Sequence, residues 1–349
     1  MAESSSSNDT SKADSPAGWP PAIVGCSLPL TEAMVETLSN NTRSNASSET
    51  QSHSGTEHTY RYHPFHPQSK FDVTSQTFDD LNKLQAYNIY PGTKMLIPTD
   101  IQEFIRDVLM HTPEGDRSPN ARRVVEACEA SRFNDDDFFS HVAVPWLVIP
   151  FGRPAPLLTS QPKTRLSSKW LPTARPNIKR IWSTLSDAWP DAITGFTRHA
   201  HLDEDETQSA FTPEEEDVVK SNLKLTNTVL FPFLTAQYKP ANGESLSIAT
   251  LQGARDGACI VNHLRELYRT AYDREPTPLE TCHFSITANP DSAVMWVHWS
   301  EMVKGVQHHY MEDFESCTNR KAKSIEEFRV CIKNLIENKK GYMGENVER

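Results

Sequence analysis

Three polar groups lie at the ends of apolar runs. The stretch FPFLTAQYKP, residues 231–240, is apolar until it reaches Gln237-Tyr238-Lys239. Residues two apart on a strand project from one face, so the amide of Gln237 and the ammonium of Lys239 stand side by side. Asp191 follows Pro190 at the start of the run AITGF. The third group lies on SIATLQGARDGACIVNHLRELY, which has helical periodicity. Stepping about 100° per residue places Gln252, Asp256, Cys259 and His263 on one stripe and Ala254, Ala258, Val261 and Tyr268 on the other. A polar stripe on a helix this apolar must be satisfied by solvent or by a site. The carboxylate, amide and ammonium are either ordinary strand ends or the remnant of a metal-dependent catalytic triad.

The elements around these residues read as an α/β core. TDIQEFIRDVLM predicts a helix with Thr99 or Asp100 as N-cap and Ile101, Phe104, Ile105 and Val108 on one face. SPNARRVVEACEA predicts another, with Ser118 as cap and Pro119 at its first position. VAVPWLVIPF is a buried extended segment whose pairing Pro145 and Pro150 limit. A short strand runs from Ala192 to Phe196, an acidic insert leads to a helix near 213–222, and NTVLFPFLTAQYK is the best strand. A long helix covers about 246–272. TCHFSITA and AVMWVHWSE flank the turn NPDS and form a hairpin. SIEEFRVCIKNLIENK opens on a capping box of Ser324 and Glu327 and buries Ile325, Phe328, Ile332 and Leu335. His308-His309 is assigned to a surface helix beyond the hairpin, and Trp296 and Trp299 to the core and rim of the sheet.

Composition sets limits on partners and compartment. A net charge of −11 excludes coating nucleic acid by bulk electrostatics, and leaves a local basic patch open. The six cysteines form no CxxC pair, which suits reduced structural thiols in an intracellular protein, with nucleus and cytoplasm not distinguished. The N-terminal MAESSSSNDTSKADS has no apolar core of a signal peptide, and no apolar run approaches the roughly 20 residues of a membrane span. Residues 1–70 read as a disordered Ser/Thr/Asn-rich tail, with Ile23 to Leu38 as a transient helix or docking segment. His53, His58, His63 and His66 fall in that tail without the fixed frame a zinc site needs.

Pro190-Asp191 followed by a strand ending in x-Y-K resembles the PD-(D/E)xK nuclease superfamily. PFLTAQYKP, LQGARDGACIVN and FSITANPDSAVMWVHW are similar to a fungal domain of unknown function assigned to that superfamily. The resemblance implies a restriction-endonuclease-like core, a mixed sheet flanked by helices, over residues 71–345. It implies Asp191 as a metal-binding aspartate, Gln237 as the second metal position, Lys239 as the catalytic lysine and Gln252 as a supporting glutamine. The implied cofactor is Mg²⁺, a hard cation that takes oxygen ligands, lowers the pKa of a bound water and stabilises charge on a phosphate. Position 237 departs from the pattern: an amide stands where the superfamily has Asp or Glu, so one formal charge is missing. Asp256, one turn from Gln252, can supply that charge from the helix.

Two functional expectations follow. One is a metal-dependent phosphodiesterase on nucleic acid with a weakened site. The other is a catalytically inactive nuclease-derived module that binds nucleic acid or protein. The nucleic-acid footprint falls on residues 163–180, KTRLSSKWLPTARPNIKR, which carry six basic residues and no acid. No membrane partner is expected. The ordinary alternatives are a solvated strand end for Lys239, a turn residue for Asp191, capping roles for Gln252 and Asp256, and a solvated loop for 163–180.

Overall fold

The computed structural model describes residues 75–111, 121–130, 158–198, 211–239 and 246–347. The N-terminal tail with its histidines, the Ser118-Pro119 cap and the segment VAVPWLVIPF lie outside the described residues. Helix α1 spans Ser75–Ala86, strand β1 Ile89–Pro91, helix α2 Thr99–Phe104 and helix α3 Ala121–Ala130. Strand β2 is Leu158–Pro162, followed by a 3₁₀ turn at Ser168–Trp170 and helix α4, Pro176–Trp182. Strand β3 (Ala192–Thr197), helix α5 (Pro213–Asn222), strand β4 (Val229–Tyr238) and helix α6 (Leu246–Tyr272) come next. A short helix α7 (Pro278–Thr281) leads into β5 (His283–Ala288), β6 (Ser292–Val303), β7 (Val306–Thr318) and helix α8 (Ala322–Val347).

The seven strands form one mixed sheet in the order β1-β7-β6-β5-β4-β3-β2. β1 runs parallel to β7 and β4 parallel to β5, and every other pair is antiparallel. β4 is buried along its whole length, as a central strand covered on both faces must be. It still contains Pro232, which cannot donate to a ladder. A bulge resolves this: pairing steps from Thr194↔Leu234 to Phe196↔Leu230, and Phe231 adopts φ +43°. Gly195 faces the bulge, where a Cβ would come within 2.4 Å of Val229 Cγ1 and 2.7 Å of the Leu230 carbonyl oxygen.

Alternation along β5 separates two layers. Phe284 meets Phe104 of α2 at 6.1 Å between ring centroids, on the face where α8 buries Ile325, Phe328, Ile332 and Leu335. Ser285 and Thr287 point the other way, toward Gly253 of α6. α6 therefore covers β4, β5 and β6 on one face, and α1 packs on α6 through Leu81, Leu84, Tyr87, Leu251, Ala254 and Ala258. No helix among the described residues is long and apolar enough to cross a membrane.

The helices at 213–222 and 246–272, the strand at 192 and the NPDS hairpin lie where the sequence predicts them. Asn289 closes that turn by accepting from the Asp291 and Ser292 amides with its side-chain oxygen. Other expectations are corrected. α2 has no side-chain cap: Pro98 precedes it, and Asp100 accepts from its neighbour Ile101. The helix then widens into a π-turn over Ile105–Leu109, which advances the buried face by one residue, so Leu109 is buried and Val108 only partly. α8 starts two residues before Ser324, whose hydroxyl accepts from the Thr318 amide, so no capping box forms there. His308-His309 belongs to β7 instead of a surface helix, and His309 is buried beside β1.

Candidate functional site

Antiparallel pairing of β3 with β4, with Ala192 opposite Ala236, brings the start of one strand to the end of the other. Asp191, Gln237 and Lys239 are thus gathered at one edge of the sheet. The Asp191 carboxylate accepts from the Tyr238 amide at 2.9 Å, and its carbonyl accepts from the Lys163 amide at 2.9 Å. The Lys239 amide donates to the Ala288 carbonyl at 2.9 Å, extending the β4–β5 ladder by one bond. Gln252 sits one turn before Asp256 on α6, with its buried Oε1 unpartnered among the described residues.

Gln237 points at α6. Its Nε2 donates to Asp256 Oδ2 at 2.6 Å and to the Trp189 carbonyl at 3.2 Å. Asp256 Oδ1 accepts from the Trp189 amide at 3.2 Å and from Arg255 Nη2 and Nε at 3.3 and 3.4 Å. Arg255 Nη1 donates to Ser186 Oγ at 2.6 Å. Asp256 is completely buried. Burial pushes its carboxyl above the ordinary range, opposed by the Arg255 charge and by the hydrogen bonds from Gln237, Arg255 and the Trp189 amide. The charge that Asp256 can lend is therefore consumed locally by a guanidinium.

The same set tests the fit of Mg²⁺. Such a site needs oxygen ligands that converge, usually including one or two carboxylates. Both oxygens of Asp256 are occupied by N–H donors, and one oxygen of Asp191 is held by the Tyr238 amide. No cluster of three or more His, Cys, Asp or Glu side chains suited to a metal occurs among the described residues. These residues do not fit a resident divalent cation.

The polar stripe of α6 satisfies a different set of groups. Cys259 Sγ donates to the Ser167 carbonyl at 3.6 Å, and Asn262 Nδ2 to the Trp170 carbonyl at 3.0 Å. His263 Nε2 meets the Leu223 carbonyl at 2.7 Å, and the Trp170 indole donates to the Lys224 carbonyl at 3.0 Å. With Arg255 and Asp256 acting on Ser186 and Trp189, the helix anchors both ends of the connection from β2 to β3. That connection holds the basic run. Lys163, Arg165, Lys169, Arg175, Lys179 and Arg180 are all exposed. Arg165 pairs with Asp187, and Lys169 lies 4.5 Å over the Trp170 ring.

Trp189 is the residue that sequence reasoning missed. Its indole N–H donates to the Lys163 carbonyl at 2.7 Å, yet 54% of the residue is exposed. The available signal was its place in AWPDAITGF, directly before Pro190-Asp191.

The model of a family described as a domain of unknown function, DUF7924, matches residues 153–341, more than half of the chain. No curated protein matches the chain.

Proposed function

The chain belongs to the DUF7924 family, and we propose that it is a nuclease-derived module that binds nucleic acid without cleaving it. The supporting topology is the antiparallel run β2-β3-β4, then α6, then β5 parallel to β4. This is a mixed sheet with Asp191 and Lys239 at adjoining strand ends, as a PD-(D/E)xK ancestry requires. The observation that carries the loss of catalysis is the Gln237–Asp256–Arg255 cluster. The amide at the second acidic position donates into a carboxylate already matched to a guanidinium, which leaves Asp191 as the remaining carboxylate of the pattern. Binding rests on the exposed cations of 163–180 beside that edge, in a chain whose overall charge is negative.

Fluorescence anisotropy with a labelled single-stranded oligonucleotide tests the binding half. Affinity falls steeply with salt, with a log–log slope of about −0.7 per phosphate neutralised. Charge-removing changes at Lys163, Arg165, Lys179 and Arg180 flatten that slope. Incubation of the same oligonucleotide with Mg²⁺ or Mn²⁺ leaves it intact. The gathering of Asp191 and Lys239 favours the phosphodiesterase as a second reading, and metal-dependent cleavage that Lys239→Ala removes would establish it.

A further inference from the structure

We propose that Trp189 is a pre-organised stacking anchor for one unpaired base of a single-stranded nucleic acid, whose phosphates run along the basic residues of 163–180. This rests on the binding function proposed above and adds to it a ligand conformation and a contact residue.

An exposed indole is ordinarily mobile, and ordering it on binding costs entropy. Trp189 is held from three directions. Its amide donates to Asp256 Oδ1 at 3.2 Å, its carbonyl accepts from Gln237 Nε2 at 3.2 Å, and its indole N–H donates to the Lys163 carbonyl at 2.7 Å. The buried Pro190 further restricts its backbone. Gln237 and Asp256 thus hold the backbone of this residue, and the Lys163 carbonyl holds its ring. What remains exposed is aromatic surface on a residue whose N–H is already satisfied.

The flanking chemistry selects the partner. The backbone of 163–166 pairs with 188–191: the Lys163 amide donates to the Asp191 carbonyl and the Leu166 amide to the Ala188 carbonyl, both at 2.9 Å. Lys163 and Arg165, the latter ion-paired with Asp187, therefore lie on the segment that pairs with the backbone around the indole, with four more cations beyond them and no acid within 163–180. A ring to stack on, bordered by cations, suits a polyanion that carries exposed planar bases. In a duplex those faces are already occupied by neighbouring bases.

The test uses the full chain and a fluorescein-labelled 20-nucleotide oligothymidylate, a matched abasic oligomer and a matched duplex. Stacking is worth about 1–3 kcal/mol per base, so Trp189→Ala weakens oligothymidylate binding about 5- to 150-fold with the salt slope unchanged. Trp189→Phe retains most of the affinity. On the wild-type protein, the abasic oligomer binds about 5- to 150-fold more weakly than oligothymidylate, a comparison that needs no variant to fold. Trp189→Ala leaves duplex binding unchanged. Equal wild-type affinity for oligothymidylate and the abasic oligomer, or a Trp189→Ala loss as large on the duplex, overturns the stacking anchor and leaves the binding function standing. Absence of any salt-sensitive oligonucleotide binding by the wild-type chain overturns both.

Discussion

The side-chain amide of Gln237 donates to the carboxylate of Asp256 at 2.6 Å, with both groups buried between the end of β4 and the middle of α6. Both partners of Gln237 Nε2, this carboxylate and the Trp189 carbonyl, are acceptors. The nitrogen end of the amide must face them, so Gln237 is chosen for its N–H groups. A carboxylate at this position lacks them.

Gln237→Glu therefore does not restore a site. It sets two carboxylates against each other in a buried space, where one must take up a proton. The expected cost is about 3 kcal/mol at neutral pH, in the range of an uncompensated buried charge. A pair with a raised carboxyl pKa is stable below its unfolded value and loses that stability as pH rises, so the penalty shrinks toward pH 4. Adding Asp256→Asn returns most of the loss: the amide it introduces donates to the new carboxylate across the pair and still accepts from the Trp189 amide. Urea unfolding of the single and double variants at pH 4.5 and 7.5 measures both effects, and a Gln237→Glu protein as stable as wild type at pH 7.5 contradicts the pairing.

Two glycines on α6 should respond oppositely to alanine. A Cβ on Gly257 would lie 2.1 Å from His298 Nδ1, and that ring is held through Nε2 by Ser285 Oγ at 2.7 Å. Gly257→Ala must push the ring off its partner within a buried layer, at a cost of about 3 kcal/mol, the upper end for overpacking. A Cβ on Gly253 meets nothing closer than Met311 Cε at 3.6 Å. Gly253→Ala gains up to about 1 kcal/mol of helix propensity. Thermal melts of the two variants bracket the wild type; a Gly257→Ala melt equal to that of Gly253→Ala is the contrary result.

The contrast shows why much of the fold was legible and the site only partly. Elements specified by local chemistry, such as the NPDS turn closed by Asn289 or the apolar stripe of α8, follow from neighbours in the chain. Leu109 joins the core while Val108 packs against it half-buried because a π-turn intervenes, and nothing in FIRDVLM announces one. β7 was missed because VQHHYMEDFESCT mixes charged and aromatic residues, and His309 becomes interior only through pairing with β1. The resemblance grouped Asp191 with Lys239, and the antiparallel pairing of β3 with β4 brings those two strand ends together. The assignment of Asp256 to Gln237, Arg255 and Trp189 needs three segments, separated by tens of residues, to cross at one point.

Acid should weaken the protein through its interior histidines. Burial pushes His263 down to about 4 and His298 and His309 down to about 3. For His263 burial outweighs the Leu223 carbonyl, which accepts from Nε2 and by itself favours the protonated ring; Nδ1 is buried without a partner among the described residues. Groups with a folded pKa below the unfolded value of about 6.5 leave stability intact above that pH. Below it the unfolded chain binds the protons first, at about 1.4 kcal/mol per pH unit for each histidine, until the folded values are reached. Unfolding free energy should be flat from pH 7 to 8 and fall from 6.5 toward 4. A curve level down to pH 5 would show that these rings titrate normally.

Thiol chemistry should be silent in the native state. Cys128, Cys259, Cys282, Cys317 and Cys331 are all buried and unbridged. Burial raises the Cys128, Cys317 and Cys331 thiols to about 12 and raises Cys259 as well. Only the thiolate attacks a disulfide, and a thiol of pKa 12 is ionised about one part in ten thousand at pH 8. Cys26 lies outside the described residues, so Cys26→Ser isolates the five. That variant should release almost no thionitrobenzoate from Ellman's reagent at pH 8 over minutes, and five equivalents once guanidinium unfolds it. Because Cys259 donates to the Ser167 carbonyl beneath the basic run, its labelling also reports on that segment. Rapid native labelling of one equivalent, mapped to Cys259, would mean that the 163–189 connection lifts from α6 and that the indole of Trp189 is not held in place.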